Sequence, residues 1–316
     1  MSKLDTFKKE CDIAYDNGRS LISDAQYDNL FGESATIGRI GYSDDITHMY
    51  PLYSLQKYYV EDGTTPLNLE DCNETPKLDG VAICLLYVDN TLVRATTRGD
   101  GVKGKDVTDK IKHIVPNELK FSLYESTMQI IGELVSSKFI DNSRNQTAGL
   151  MTLKDMEIFK QRVKELYTKF VAYGVSTPTF IYYKQDMQLL ADNGFSTVFN
   201  NCEAFPTDGL VYRLKDNNKF IEAGYTSKHP KGAFAWKTKQ VPVVTTLLDV
   251  EWQVGKSGKV TPVAILDPVE IDGATIQRAT LNNMAFIEGL DLVIGCEVEL
   301  IRAGEIIPEI ISRVFD

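Results

Sequence analysis

Residues 77–107, KLDGVAICLLYVDNTLVRATTRGDGVKGKDV, carry the clearest strand pattern in the chain. Two apolar runs, VAICLLYV and TLVRATT, are joined at Asp89-Asn90. Two such runs separated by a pair of turn-forming residues predict an antiparallel β-hairpin. The stretch therefore predicts that antiparallel sheet lies at the centre of this part of the chain.

Helical patterns flank the hairpin. Apolar residues recur at roughly helical spacing within residues 3–32, with a break at Asn17-Gly18, and residues 152–169 are amphipathic. Residues 33–50 contain spaced glycines and predict a loop. The mixture of helices and strands predicts an α+β domain built on antiparallel sheet. Further short apolar runs predict strands at 130–137, 170–175 and 209–214.

The helical patterns nearly vanish after Lys239. Short apolar runs alternate with GKSGK, DG and AGE turns, and five or six strands fit in the remaining length. Such a series of short strands predicts a small barrel of OB type. We therefore predict a short helical domain over 1–46, an α+β domain over 47–239 and a barrel over 240–316.

The composition excludes several classes of protein. Lysine and arginine number 34, aspartate and glutamate 44, and the formal net charge is −10. This charge argues against a protein that coats nucleic acid non-specifically, but it leaves room for a local basic surface that binds phosphates. The five cysteines are odd in number and form no C-x₂-C pair, which argues against a disulfide framework or a zinc module. The polar N-terminal residues and the lack of a long apolar run predict a soluble, cytoplasmic protein.

Lys77-Leu78-Asp79-Gly80 is the first candidate for chemistry. A lysine amine is a nucleophile when it is deprotonated and held in place, and attack on a phosphorus atom would give a phosphoramidate. Asp79 could orient the amine or the substrate, and Gly80 lets the backbone pass close to a ligand. As four residues alone, the string is equally compatible with a surface turn that enters a strand.

The longer context resembles NAD⁺-dependent DNA ligases. Residues 77–107 are similar to the nucleotidyl-transfer motif of that family, and TRGDG at 97–101 is much more specific than Lys-x-Asp-Gly. The string LLDVEWQVGKSGKVTPVAILDPVEIDG is similar to the family's OB domain. Such long strings separate the family from ATP-dependent ligases and capping enzymes, which share only its short nucleotidyl motifs. Further matches to the family are His48-x-x-Pro51-x-x-Ser54-Leu55, Gly132-Glu133, FIDNSRNQTAG (139–149), Ala172-Tyr173-Gly174-Val175, Asp208-Gly209-Leu210-Val211 and Lys237.

The resemblance implies both a fold and a reaction. The fold is an adenylation (nucleotidyltransferase) domain of antiparallel sheets and helices, preceded by a short helical domain that binds nicotinamide mononucleotide and followed by an OB barrel. The reaction is the sealing of nicks in duplex DNA, as in repair and replication. It uses NAD⁺ and Mg²⁺, a covalent lysyl-AMP at Lys77 and an adenylated 5′-phosphate. An ATP-dependent polynucleotide ligase and a ligase-derived DNA-binding subunit are the alternatives.

The resemblance also assigns site residues. Each one alone has an ordinary alternative, since a tyrosine can be core, a lysine solvated and a glutamate part of a surface ion pair. The implied catalytic residues are Lys77, Asp79, Arg98, Glu133, Asp208 and Lys237. The implied nucleotide-binding residues add Ser54, Leu55, Tyr173, Val211 and Arg213 to Lys77, Arg98, Glu133 and Lys237. No residue is assigned as a protein ligand of a metal.

The N-terminal residues imply the choice of NAD⁺ over ATP. Residues 14–28, AYDNGRSLISDAQYD, are similar to the family's nicotinamide-side segment. Tyr15, Asp24, Tyr27 and Asp28 are the implied contacts, because aromatic rings can stack on nicotinamide and carboxylates suit its positive charge or ribose hydroxyls. The alternative is a helix in which Tyr27 packs inward.

Four basic residues are implied in DNA binding. Arg144 matches the family's FANPRN stretch, and Lys256, Lys259 and Arg302 are predicted to place the barrel on the phosphates of nicked duplex. Such contacts should weaken as the salt concentration rises.

The chain departs from the family at several positions. Thr75 stands where the family has a glutamate two residues before the nucleophile, although Glu74 is adjacent. Arg213 stands where the family has a lysine in the fourth motif. The sequence ends at Asp316, where the family continues with a zinc finger, a helix-hairpin-helix array and a terminal domain. These departures suggest a minimal ligase of viral or phage type, acting as a monomer or helped by a second chain with the missing modules. Other family arginines fall at Ile131, Thr152 and near Asn200.

Overall fold

A computed structural model describes most of the chain. The described residues are 3–16, 21–22, 27, 45–120, 126–200, 202–238, 241–254, 260–271, 274–303 and 307–315. The chain separates into two compact units, Met1–Lys237 and Thr238–Asp316. None of the helices in these ranges is both long and apolar enough to cross a lipid bilayer.

Helices and strands alternate through the first unit, whereas strands dominate the second. The described helices are α1 (Lys3–Asp16), α2 (Thr108–Ile111), α3 (Ser143–Leu150), α4 (Met156–Glu165), α5 (Tyr183–Asp192), α6 (Asn217–Ala223) and α7 (Met284–Gly289). The described strands are β1 (Asp45–Thr47), β2 (Gln56–Tyr59), β3 (Cys72–Leu78), β4 (Val81–Val88), β5 (Thr91–Thr97), β6 (Lys103–Lys105), β7 (Thr127–Val135), β8 (Lys169–Val175), β9 (Ser196–Thr197), β10 (Thr207–Leu214), β11 (Ala233–Lys237), β12 (Val243–Val254), β13 (Val260–Ile271), β14 (Ala274–Thr280), β15 (Glu297–Ala303) and β16 (Ile307–Arg313).

A five-stranded sheet forms the centre of the first unit, in the order β5-β4-β7-β8-β9. The predicted hairpin is confirmed, since β4 and β5 pair antiparallel. Asp89 and Asn90 have φ angles of 44° and 65°, and two consecutive positive φ values are what a two-residue hairpin turn of the favoured type requires. The apolar residues of β4 and β7 form the main core with α5.

A second sheet of the first unit has the order β2-β11-β10-β3. Strand β10 lies between β3 and β11 and pairs antiparallel with both, while β2 is parallel to β11. One face of this sheet carries a small aromatic core with Tyr212, Phe234 and Trp236. Because side chains alternate along a strand, the residues next to these three in β10 and β11 lie on the opposite face.

The N-terminal helix packs on the first sheet. Phe7 and Cys11 of α1 are buried against Leu86 and Val88 of β4. Helix α1 ends at Asp16. The second predicted helix, near Asp24, lies almost entirely outside the described residues.

The predicted loop over 33–50 was wrong at its C-terminal end. Residues Asp45–Thr47 form β1, which pairs antiparallel with β6. The strand has three residues and a partner far along the chain, so no local periodicity could reveal it.

The second unit is a closed barrel with the order β12-β13-β14-β16-β15. The sequence predicted five or six strands, and five close this barrel. Its core contains Leu247, Leu266, Val298 and Ile310, each at most 1% exposed. The prediction of an α+β domain followed by a barrel is therefore confirmed.

Candidate active site

The Lys77 amine lies at the end of β3, in contact with a carboxylate of the neighbouring strand β10. Its Nζ donates to Oδ1 of Asp208 at 2.9 Å and to Oδ2 at 3.2 Å. The pairing of Thr207 with Leu78 brings the two side chains together. The amine is a quarter exposed and the carboxylate 9% exposed, so the ion pair is held in place and open to a ligand on one side.

A second lysine shares the same carboxylate. Lys237, the last residue of β11, donates from Nζ to Oδ2 of Asp208 at 2.5 Å. Burial by itself would raise the pKa of Asp208, but Lys77 and Lys237 outweigh it and hold this pKa below its ordinary value. Two ammonium groups on one carboxylate leave a net positive charge, which suits a phosphate.

Gly209 allows this approach between β10 and β11. Its φ is +150°, and a Cβ there would lie 2.6 Å from the Trp236 carbonyl oxygen and 3.1 Å from Cγ of Lys237. A side chain would therefore push away the strand end that carries Lys237. Close packing against β11 therefore explains why the Asp-Gly-Leu-Val string has a glycine at this position.

Glu133 of β7 lies opposite Ala82 of β4, and its carboxyl faces the same site. Burial raises the pKa of Glu133 to about 7, while the positive charges of Lys77 and Arg98 oppose that rise. The group is therefore partly protonated near neutral pH. It could accept a hydrogen bond from a ribose hydroxyl or donate one to an oxygen.

We expect this carboxyl to control how stability changes with pH. The folded pKa of about 7 lies above the ordinary 4.5. The folded state therefore keeps a proton that the unfolded state loses, and the free energy of unfolding falls as the pH rises from about 4.5 to about 7. The loss should be about 2–3 kcal/mol. The free energy of unfolding is measured in urea at pH 5 and pH 8. The Glu133→Gln variant should not lose stability between these two pH values, whereas the variant Glu157→Gln, at an exposed position, should lose as much as the wild type.

Asp79 is held by two contacts. Its backbone N–H donates to the Pro206 carbonyl at 2.9 Å, and Oδ1 lies 3.2 Å from Nη1 of Arg144. Arg144, the predicted DNA contact on α3, is 37% exposed. It is therefore available to solvent while it is anchored to the Lys-x-Asp-Gly segment.

The TRGDG turn is built from tight backbone contacts. A Cβ on Gly99 would lie 1.8 Å from the Lys103 carbonyl oxygen, so only glycine fits there. The Arg98 carbonyl accepts from Nε2 of buried His48 at 3.0 Å, while the Arg98 side chain is exposed. Burial lowers the pKa of His48. The turn thus holds the Arg98 main chain, and the charge of its exposed side chain acts on Glu133 and Tyr173.

Tyr173 stands at a bulge in β8. Gly132 pairs with Ala172 and Ile131 pairs with Gly174, so Tyr173 has no opposite residue. A bulge changes the direction in which a side chain points. The Tyr173 side chain is close enough to Glu133 that the charge of an ionised Glu133 disfavours ionisation of the Tyr173 hydroxyl. Burial is the main reason that the pKa of Tyr173 lies well above its ordinary value.

The remaining predicted nucleotide contacts occupy two places. Val211 shares the Lys77 face of the second sheet, directly opposite Thr75. Ser54 and Leu55 precede β2 and are half-buried. Oγ of Ser54 lies 3.1 Å from Nδ1 of His229, a partner that no sequence pattern indicated.

Arg213 is held by aromatic rings. Its guanidinium lies 4.1 Å from the centres of the Tyr183 and Phe220 rings, and Nη2 donates to Oδ1 of Asn217 at 2.8 Å. The sequence reasoning missed this clamp, since its members lie on three different elements. These contacts fit a structural role better than the phosphate contact that the resemblance implies.

We expect Arg213→Lys to destabilise the fold, although lysine is the family's residue there. An ammonium cannot stack flat between two rings or reproduce the guanidinium hydrogen bonds. The free energy of unfolding should fall by about 1–2 kcal/mol. Thermal unfolding measures the change, and Arg278→Lys at an exposed ion pair with Glu251 is the control that should remain near wild type. Equal losses in the two variants would contradict the clamp.

Thr75 and Glu74 lie on opposite faces of β3. Thr75 is buried on the Lys77 face. Glu74 accepts a hydrogen bond from the Tyr212 hydroxyl at 2.5 Å on the aromatic face. Glu74 therefore does not replace the missing family glutamate, because strand alternation turns it away from the site.

The predicted nicotinamide contacts lie mostly outside the described residues. This holds for Asp24, Asp28 and the side chain of Tyr15. Tyr27 packs against the cluster that contains Phe7.

The predicted phosphate contacts of the barrel have different outcomes. Lys256 and Lys259 lie outside the described residues. Arg302 was predicted to contact phosphate from the surface, but it is only 8% exposed and donates to the Ile271 carbonyl at 3.3 Å. Strand β15 turns the Arg302 side chain toward the barrel interior, so the structure does not favour its phosphate contact, which stays a prediction.

Comparisons with known proteins agree with this geometry. The family model of the NAD-dependent DNA ligase adenylation domain matches residues 42–140, and that of the NAD-dependent DNA ligase OB-fold domain matches residues 244–316. The first match contains Lys77, Asp79, Arg98 and Glu133.

Three bacterial proteins named DNA ligase are similar over most of this chain. The Bacteroides fragilis protein is 33% identical, over 84% of this chain and 47% of its own length. The Helicobacter pylori protein is 33% identical, over 90% and 48%. The Fusobacterium nucleatum protein is 31% identical, over 96% and 53%. The chain thus spans about half the length of the curated relatives it matches. With its adenylation and OB-fold domains, it belongs to the NAD-dependent DNA ligase family.

Proposed function

We propose that the chain seals nicks in duplex DNA with NAD⁺ as the adenylyl donor, through a covalent AMP on Lys77. The observation that carries the proposal is the pairing of the Lys77 amine with Asp208, which Lys237 also contacts. A nucleophilic amine next to a second fixed cation matches what attack on an adenylyl phosphate requires.

The surroundings of Lys77 fit an adenine nucleotide. Tyr173 of the five-stranded sheet offers an aromatic ring beside Glu133. Val211 of the four-stranded sheet lies on the same face as Lys77. Gly80 is close-packed, since a Cβ there would lie 2.1 Å from the Leu134 carbonyl oxygen. We propose that the ring of Tyr173 stacks on adenine and that Glu133 binds ribose hydroxyls.

The first chemical step transfers AMP to the lysine. The Lys77 amine loses a proton to solvent, to which its side chain is a quarter exposed. Its lone pair then forms a bond to the phosphorus of the adenylyl group, while the bond from that phosphorus to nicotinamide mononucleotide breaks and the mononucleotide leaves. Asp208 orients the amine. Lys237 and the exposed guanidinium of Arg98 stabilise the negative charge that develops on the phosphate oxygens.

The next two steps use DNA. The 5′-phosphate at the nick displaces Lys77 from the AMP phosphorus, and the 3′-hydroxyl then displaces AMP and closes the backbone. Arg144, anchored by Asp79, is the proposed contact to the strand at the nick.

A Mg²⁺ ion would supply further neutralisation of phosphate charge. Among the described residues no three His, Cys, Asp or Glu side chains form a metal cluster. This fits Mg²⁺, which keeps several waters and takes its other ligands from one or two carboxylates and from substrate phosphates. Asp208 and Glu133 are the carboxylates that would hold its waters. The predicted monomeric state, cytoplasmic location and lack of zinc stay predictions.

The purified chain tests the proposal directly. Adenine-labelled NAD⁺ and labelled ATP, each with Mg²⁺, are supplied separately, and acid-labile label on the protein is measured. A nicked duplex is then added and sealing is followed. We expect label from NAD⁺ only, and sealing that weakens as salt rises. Label from ATP alone would refute the choice of donor, and label without sealing would indicate a subunit that needs a partner.

A further inference from the structure

Two aromatic side chains are exposed on one edge of the first unit, each beneath a lysine. Phe139 is 81% exposed and Tyr167 is 51% exposed. Nζ of Lys138 lies 5.7 Å from the centre of the Phe139 ring, and Nζ of Lys169 lies 5.0 Å from the centre of the Tyr167 ring. Exposed aromatic rings interleaved with cations are typical of surfaces that bind nucleic acid. We call these four residues the aromatic edge.

Main-chain hydrogen bonds bring the two aromatic segments together. The Ser137 N–H donates to the Leu166 carbonyl at 3.0 Å, next to Tyr167. The Lys138 N–H donates to the Ala204 carbonyl at 2.8 Å. The next residue, Phe205, has its ring 6.1 Å from the Tyr167 ring. The aromatic edge therefore belongs to a fixed part of the fold.

Tyr167 occupies a position that favours glycine. It follows α4 with a φ of +51°, in the left-handed region that commonly ends a helix. A tyrosine is strained there, and half of its side chain lies in solvent. The ring stacks on buried Phe205 on one side and leaves its other side open to a ligand.

The aromatic edge adjoins the site on the side of Asp79. The Asp79 N–H donates to the carbonyl of Pro206. Pro206 lies two residues after Ala204, whose carbonyl accepts from the Lys138 N–H. Arg144 contacts Asp79 at 3.2 Å. The segment 204–206 therefore contacts both the aromatic edge and Asp79, the residue that holds Arg144.

We infer that Lys138, Phe139, Tyr167 and Lys169 bind the DNA strand that flanks the nick, with the lysines on phosphates and the rings against deoxyribose. This inference rests on the proposed function and adds a substrate surface to it. Two exposed carboxylates, Asp141 and Glu203, lie in the same segments as the two lysines, so the pairs of cation and exposed ring carry the inference and a net positive charge does not. A polyanion with apolar sugar faces matches both the cations and the rings.

Binding of the full chain to nicked duplex tests the inference. Affinity is measured from low to moderate salt for Phe139→Ala, Tyr167→Gly and Lys138→Ala. We expect affinity to fall about fivefold or more for the two aromatic variants. Lys138→Ala should reduce the slope of log affinity against log salt by about one. Tyr167→Gly relieves the left-handed backbone but removes the ring that stacks on Phe205. The thermal unfolding midpoint of each variant is therefore measured, and weaker binding supports the inference only in variants that remain folded at the assay temperature.

Ile158→Ala and Lys160→Ala on exposed α4 are the matched controls and should bind as the wild type. Aromatic-edge variants that bind nicked duplex with unchanged affinity and salt slope would overturn the inference, as would a wild type that binds none at low salt. If the wild type still labels Lys77 and seals nicks, the proposed function survives that failure. If the wild type never acquires label but the aromatic-edge variants still bind nicked duplex more weakly than it does, the DNA-binding surface survives and the proposed function fails.

Discussion

Lys77→Ala is expected to abolish covalent AMP labelling, with a loss of at least about a thousandfold. No other amine in contact with Asp208 can substitute easily, because Lys237 is held at 2.5 Å at the end of a different strand. Lys77→Arg should fail as well, since a guanidinium keeps its charge at any accessible pH and is not a nucleophile. The measurement is acid-labile label on the protein after incubation with adenine-labelled NAD⁺ and Mg²⁺.

The matched control for this result is Lys57→Ala. Lys57 is exposed and lies on β2 of the same four-stranded sheet, opposite Ala235. Its removal changes the lysine count equally and should leave labelling near the wild-type level. Persistent label on the Lys77→Ala protein would mean that another residue is the nucleophile, and the proposed mechanism would then be lost.

Gly80→Ala is expected to lower the free energy of unfolding by about 3 kcal/mol. A Cβ at this position would lie 2.1 Å from the Leu134 carbonyl oxygen and 2.8 Å from Cγ1 of Val135. Strand β7 would have to move, and the Glu133 carboxyl on that strand would move with it. Urea unfolding at pH 7 measures the change. Labelling should fall in parallel.

Gly149→Ala provides the comparison for this effect. Gly149 lies in α3 and a Cβ there meets nothing within 4 Å. The same substitution should raise stability by up to about 1 kcal/mol, because alanine favours helix. If both variants were equally stable, the close packing of Gly80 against β7 would not be the reason for the glycine.

Local sequence patterns predicted much of the fold. The β4–β5 hairpin was predicted from alternating apolar runs and from Asp89-Asn90, whose positive φ angles fit the turn. The strands at β7, β8 and β10 and the barrel followed from the same kind of signal. Strand β1 could not be predicted, because its three residues are ordered by a partner far along the chain.

The sequence also indicated which residues form the candidate site, but not their partners. The contact between Lys77 and Asp208 spans 131 residues. The aromatic clamp on Arg213 and the burial of Arg302 were not predicted, since a residue type does not say which way its side chain points. Glu74 shows the same limit, because one step along β3 turned it to the opposite face.

Local sequence was enough to predict most of the strands and helices, the barrel that follows the α+β domain, and the family motifs. These depend on the spacing of residues that are close in the chain and on strings long enough to be specific. Three features required the folded chain: Asp208 holds two lysines, Tyr173 lies at a bulge and Arg302 is buried. Each of these depends on strand register and bulges between distant segments, and a shift of one residue would reverse the face that a side chain occupies.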